Sequence, residues 1–391
     1  MENIWSENKK VNLIINILLF LLGMNFMHYA QLLIPIICII IFFANNHKFH
    51  VNNIKTFIIL CLFGISFLIF AYEKKGFFAF IGLFLPMAYY IGSNIYRPNE
   101  TKIKQVIYIL AFGMLIHIVL NFGVDLAIRG IECIRRNSHL DIWTFDEYPA
   151  TQTATNYILP IGCLYYYLVY DNKNKSKILV YPVLLVSFIY MFALGKRAPM
   201  VILFIVLVIM IFCDVTIYKK INKASKTIIA LVFLLLITAS FVYIVYLYDL
   251  FGLKNKIPYI SIVRKFYAAG FDPQRLHFAI ETIKNAPQHL FGGSYISETF
   301  GFGPHELWLD IFDIAGIIPY ALIVIYSIIS LFVIINTLKN KEISKEFKIL
   351  FIGVFTAIIL EFFIEPIISG ASILLLSVII ILSCVERLQL K

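Results

Sequence analysis

His305 and Glu306 follow the run Gly301-Phe302-Gly303-Pro304, and Arg264 and Arg275 stand upstream in a stretch rich in basic and turn-forming residues. A histidine that opens a helix suits a general base. The helix macrodipole favours the neutral imidazole there, and the ring titrates near working pH. Glu306 acts the other way, so residue types alone leave the sign of the net shift open. Asp272 and Pro273 are a good N-cap and first helical position. With Leu276, Ala279, Ile280 and Ile283 at helical spacing, they predict an amphipathic helix over 273–285, ended before Pro287 and the Gly292-Gly293 turn. Arg275 falls in its first turn, where a guanidinium and unsatisfied N–H groups together favour an anion.

Three further sets carry charge where none is required. Arg197 sits beside Lys196 in a turn too tight to need charge, and we read Arg197 as functional. Glu361 and Glu365, one turn apart before Pro366, are expected either to pair with the loop arginines or to orient other side chains. Asp310 and Asp313 share a helix face, and the structural reading is favoured over a metal site because no His stands at ligand spacing. The plain readings stay open: Arg264, Lys265 and Lys284 serve equally as lipid-headgroup anchors, and His305 as a polar cap. Tyr295, Phe300, Phe302 and Trp308 are either ligand-stacking or interfacial aromatics. His117, deep in an apolar run, is read as a helix–helix hydrogen bonder. No Walker A, complete GxGxxG, HExxH or DxD motif occurs. The six cysteines include no CxxC pair, so no metal, cofactor or disulfide framework is expected.

These residues must be positioned by a membrane scaffold. Of 391 residues, 61% are hydrophobic and only 14% charged, and the mean hydropathy is +0.86. A soluble domain carries about a quarter charged residues. An all-α, polytopic membrane protein is therefore expected, as a single membrane domain over 1–391. Apolar runs of the ~20 residues a span needs fall at 11–28, 30–44, 55–72, 76–96, 104–122, 151–170, 177–194, 198–213, 228–249, 306–336, 347–364 and 366–384. That predicts about twelve spans, the first retained rather than cleaved. With both termini cytoplasmic, each inside loop carries Lys or Arg, such as Lys9 and Lys10, Lys48 and Lys55, and Lys219 to Lys226. The net charge of +10 is then topology signal and contact with membrane lipids, and calls for no nucleic acid. The excursions 123–150 and 250–305 lie outside, the second carrying the amphipathic helix. No inside loop exceeds about a dozen residues, so a nucleotide-binding domain has no place to fold and any chemistry is extracytoplasmic.

The order of three elements resembles the O-antigen ligase and polymerase superfamily. LGKRAPMVILF from Leu194 is similar to the family's Ser-Arg-Gly-like turn, the long loop with Arg264 and Arg275 to its large outer loop, and PHELWLDIFDIAGIIPY to its His-Asn segment. Glu306 departs from the family's Asn, and Lys196 from its small hydroxyl residue. The likeness covers residues 150–335 and is nearest to the repeat-unit polymerases of O-antigen or capsule. It implies a GT-C-like fold in the bacterial cytoplasmic membrane. It also implies metal-independent, inverting transfer between polyprenyl (undecaprenyl) diphosphate-linked oligosaccharides, with room for a chain-length regulator as partner. Arg197, Arg264 and Arg275 would hold the diphosphate, and His305 would take the acceptor's proton. The alternatives are a ligase and, in another class, a flippase. A flippase should show mid-membrane charge and internal symmetry, neither of which is evident.

Overall fold

Asn53 accepts hydrogen bonds from the backbone N–H groups of Lys55 (3.0 Å) and Thr56 (3.4 Å), starting a helix that ends in Lys74 and Lys75 before Gly76. Cap, apolar body and basic last turn are the ordinary determinants of a helix. The computed structural model describes residues 9–95, 99–135, 138–170, 177–194, 197–218, 273–301 and 303–389. In chain order the helices there are α1 (Lys9–Gly23), α2 (Leu33–Ala44), α3 (Ile54–Lys75), α4 (Ile81–Asn94), α5 (Glu100–Arg129), α6 (Ala150–Thr155), α7 (Ile158–Val169), α8 (Lys177–Leu194) and α9 (Arg197–Tyr218). They continue as α10 (Pro273–Asn285), α11 (Tyr295–Phe300), α12 (Leu307–Ala315), α13 (Ile317–Lys339), α14 (Lys345–Phe362), α15 (Ile367–Gly370) and α16 (Ser372–Gln389). Between α5 and α6, strands β1 (Ser138–Leu140) and β2 (Glu147–Pro149) form an antiparallel hairpin, and the other regular elements among the described residues are helical.

The chain divides into two compact units, Met1–Met114 with Asp272–Ser344 and Glu361–Lys391, and Leu115–Phe271 with Lys345–Leu360. In the first, the chain reverses at Gly76 and returns along α3. The approach is close, since a Cβ on Gly64 would stand 2.6 Å from the Gly82 carbonyl oxygen. One end of this unit gathers Lys74, hydrogen-bonded to Glu298 at 2.7 Å, with α12 and the segment following α14. The other end gathers Asn52 on Ser383 (2.6 Å to its carbonyl), Arg387 on the Ser93 carbonyl (2.7 Å) and Ser344 on Glu100 (2.8 Å). Lys48, Lys55, Lys102, Lys339 and Arg387 belong to that second end, so the basic loops assigned to one side of the membrane share one end of the unit.

In the second unit, His117, Asn121 and Asp125 recur every fourth residue on one face of α5 and receive the hairpin. Asp125 accepts from Leu140 N–H (3.0 Å), Arg129 (3.2 Å) and the Tyr190 hydroxyl, and Asn121 from Ile142 N–H (3.0 Å). His117 Nε2 meets Asp141 Oδ2 at 3.1 Å and its Nδ1 takes the Asn156 amide at 3.1 Å. The reading of His117 as a helix–helix bonder is thus corrected: its partners lie in the hairpin turn and after α6. The expected excursion 123–150 is shortened as well, because α5 runs on to Arg129.

Among the described residues, five stretches are long and apolar enough to cross a membrane: Ile54–Asn94, Glu100–Arg129, Ala198–Thr216, Ile317–Lys339 and Ser372–Gln389. Their outward surface is apolar too, with Ile58, Leu62, Ile65 and Ile69 exposed on α3 opposite buried Leu60, Phe63 and Phe67. Such helices need a hydrocarbon solvent, and they mark the chain as a multi-pass membrane protein. The count of twelve is corrected. The expected third and fourth spans appear as α3 and α4, which reverse at Gly76 within the stretch Ile54–Asn94, whereas Ala30–Ala44 and Tyr181–Met191 are short. α1 is 15 residues and stops where Asn25 turns left-handed. The run 151–170 breaks into α6 and α7, while α14 carries Lys345, Glu346, Lys348 and Glu361. The expected span 228–249 lies outside the described residues.

Candidate functional site

The run 306–336, expected as one span, is two helices. Gly316 sits between them at φ +81°, a conformation that side chains strongly disfavour. α12 is nine residues long and amphipathic in an unusual sense, for its buried face carries Asp310 and Asp313 beside Leu307, Ile311 and Ile314. Each carboxyl holds the start of another short helix. Asp313 accepts from Ile296 N–H (2.8 Å), Ser297 N–H (3.3 Å) and the Ser297 hydroxyl (2.8 Å), securing α11. Asp310 accepts from Ser369 N–H (3.1 Å) and its hydroxyl (2.9 Å), securing the turn of α15. The pair faces two different partners, in keeping with the structural reading.

α12 therefore pins both neighbours of His305. Upstream, α11 leads through Gly301 and Pro304 to His305; on the other side, the chain leaving α14 turns so that Glu365 N–H bonds the Glu361 carbonyl at 2.9 Å. The outcome is a histidine–carboxylate juxtaposition, with His305 Nδ1 3.8 Å from Glu365 Oε2. The imidazole is 26% exposed and the Glu365 side chain 2%, so the ring opens outward while the acid stands behind it. At 3.8 Å the pair is beyond hydrogen-bond length, and Nδ1 makes no hydrogen bond among the described residues. Glu361 is fully buried one turn before Glu365. Glu306, in extended conformation at the start of α12, is half-buried, and burial pushes its carboxyl above the ordinary range. The first unit thus places a titratable ring in front of an acidic interior, an arrangement able to accept a proton and stabilise the resulting imidazolium.

The expected residues are brought together unevenly. His305, Glu306, Glu361 and Glu365 share this end of the first unit, and Glu365 stands behind the histidine. Arg275 lies in the first turn of α10, which forms over Pro273–Asn285 as expected, and Arg197 opens α9. Arg264 and Lys196 lie outside the described residues, as does Phe302. Of the apolar positions that define the stripe of α10, Leu276, Ile280 and Ile283 are exposed, while Phe278 and Thr282 are buried. Three aromatic candidates already have neighbours. Tyr295 stacks on His289 (4.2 Å), Phe300 packs on Phe278 (5.5 Å), and Trp308 donates to Ser327 (3.0 Å) and lies 4.7 Å from Phe363.

Residue types alone missed the Asp310–Ser369 and Asp313–Ser297 anchors and the Asp125–Tyr190 contact. The four-residue recurrence of His117, Asn121 and Asp125 was a signal for the last. No protein-family model matches this chain, and no curated protein matches it.

Proposed function

We propose that this protein is a glycosyltransferase of the bacterial cytoplasmic membrane, an O-antigen or capsular repeat-unit polymerase working on polyprenyl diphosphate-linked oligosaccharides. The site would face the extracytoplasmic side, with both termini cytoplasmic. The observation that carries the reading is His305 with Glu365 behind it, on the segment whose wording resembles the polymerases. In this reaction the acceptor hydroxyl oxygen attacks the anomeric carbon of the donor, and the bond from that carbon to the diphosphate oxygen breaks. His305 takes the hydroxyl proton, and Glu365 stabilises the imidazolium. The electron pair leaves on the diphosphate, whose charge Arg197, Arg264 and Arg275 would hold. A single displacement inverts the anomeric configuration. Bond formation draws on the activated donor, so neither nucleotide nor metal is required by this scheme.

Sizing lipid-linked glycans in cells lacking the protein tests the proposal. Single repeats accumulating outside support a polymerase. Long chains left unattached indicate a ligase, and repeats trapped inside indicate a flippase; either overturns the reading.

A further inference from the structure

The first unit contains a second feature, remote from His305 and independent of the proposed activity. Between α2, α3 and α4 lies a cavity of about 510 Å³, lined almost entirely by apolar side chains, among them Ile39, Phe43, Phe57, Leu83 and Met87. Packed interiors hold few voids larger than a water molecule. This one exceeds the ~150 Å³ apolar cavity that stays dry and takes benzene, and it falls in the ~300–1,000 Å³ range of ligand sites. Its rim is open, since Ile39, Phe43 and Ile65 are exposed on the same surface as the outward residues Ile58, Leu62 and Ile69 of α3. The groove therefore opens onto the hydrocarbon-facing belt. Whatever fills it comes from an apolar phase.

Two observations narrow the occupant. The wall is apolar to its closed end, where Tyr90 contributes its ring while its hydroxyl oxygen is shut off from the opening. One end of the cavity is closed by Phe49, stacked on Tyr90 with ring centroids 5.0 Å apart, in the loop joining α2 to α3. That loop bears His47, Lys48 and His50, with Lys55 just inside α3, and no acidic side chain occurs between Asn8 and Tyr72. Arg387 stands near enough that, after burial, its charge is the second cause holding the His50 imidazole below its ordinary range. Two carboxylates at this end of the unit are engaged, Glu386 by the Tyr89 hydroxyl at 2.5 Å and Glu100 by Ser344. A hydrocarbon groove with an acid-free basic loop beyond its closed end matches an acyl chain and a phosphate.

We propose that this groove is a binding site for one anionic phospholipid, its acyl chain between α2, α3 and α4 and its phosphate beside Lys48 and Lys55. This is the end that the basic loops assign to the cytoplasm, where anionic lipid is concentrated.

The test is native mass spectrometry of the full chain in detergent, titrated with phosphatidylglycerol or with phosphatidylcholine of the same chains. One phosphatidylglycerol should bind with about tenfold or greater preference, the scale of two lysines at a lipid surface. Lys48→Gln with Lys55→Gln should abolish the preference, and Met87→Trp, which fills the groove, should prevent binding. In case the last variant folds poorly, a Phe49→Trp reporter supplies a second measurement: chain-brominated phosphatidylglycerol should quench its added fluorescence. Equal binding of the two lipids would overturn the proposal, as would a preference untouched by the lysine changes or a bound lipid that leaves the reporter unquenched. Two other occupants would also overturn it. A polyprenyl phosphate retained in place of phospholipid is one, and a second copy of the chain, detected as a dimer cross-linked through Cys38 or Cys61 at the cavity wall, is the other.

Discussion

Asp313→Ala should loosen the strap that leads to His305. The carboxyl accepts three hydrogen bonds from the start of α11, two of them at 2.8 Å and one at 3.3 Å. Bonds to a carboxylate contribute about 1.5–3 kcal/mol each when partly buried. Taking the two short bonds at the lower figure gives a cost of about 3 kcal/mol. Asparagine keeps one acceptor oxygen but turns an amide donor toward a donor, so Asp313→Asn should lose about half of that. The loss is local, because Asp313 secures α11 and the turn before Pro304 while Asp310 still secures α15. Hydrogen exchange followed by mass spectrometry on peptides covering 294–304 reads it directly, since about 3 kcal/mol is ~10²-fold in the opening equilibrium. Exchange should rise by about that factor for Ala and by roughly tenfold for Asn, with α16 unchanged. Wild-type protection of Ile296 and Ser297 in the Ala variant would refute the reasoning, for the carboxyl would then contribute nothing to holding α11.

Four other outcomes follow from the same chain. His305→Gln should lower turnover by about 10²-fold or more, the scale of lost general-base help, while binding of the lipid diphosphate survives; near-normal turnover of a folded variant would remove His305 from the mechanism. Arg197→Lys should harm activity nearly as much as Arg197→Ala, because a point charge does not replace a planar fork on a diphosphate, and full activity of the Lys variant in the same assay would end that role. Burial raises the Glu306 carboxyl above its ordinary range, so the folded state favours the protonated acid: its contribution is present below the ordinary carboxylate range and is lost as pH rises through the raised value. Glu306→Gln should therefore melt later than wild type at pH 8 but not at pH 4, and an equal gain at both would contradict the burial effect. Reporters fused after residues 140 and 270 should be extracytoplasmic and one after 222 cytoplasmic; a cytoplasmic signal at 270 would end the site assignment.

Membrane character, helix content and the α10 boundaries were legible in residue types. Ordinary local causes sufficed: apolar composition without charge, a proline at the first helical position after an aspartate, and a basic residue in each short loop on one side. The break at Gly316 was not legible, because a single glycine within a long, mostly apolar run is tolerated in a helix and does not tell one long helix from two. Nor was the direction of the α10 face, since an apolar stripe meets protein or lipid equally well and only neighbouring helices decide which. The same limit governs the candidate site. His305 stood out by type and place, but Glu365 stands 3.8 Å from it across sixty residues of chain, and Ser369 reaches Asp310 from a similar distance along the sequence. Such pairings depend on how α12, α14 and α15 pack, and packing is a property of the folded chain rather than of any local segment. Sequence alone determined that this chain enters a membrane as helices and which groups can titrate or pair with an anion. Tertiary structure alone decided which of those groups meet, because burial and contact are set by helices distant in sequence competing for the same interior.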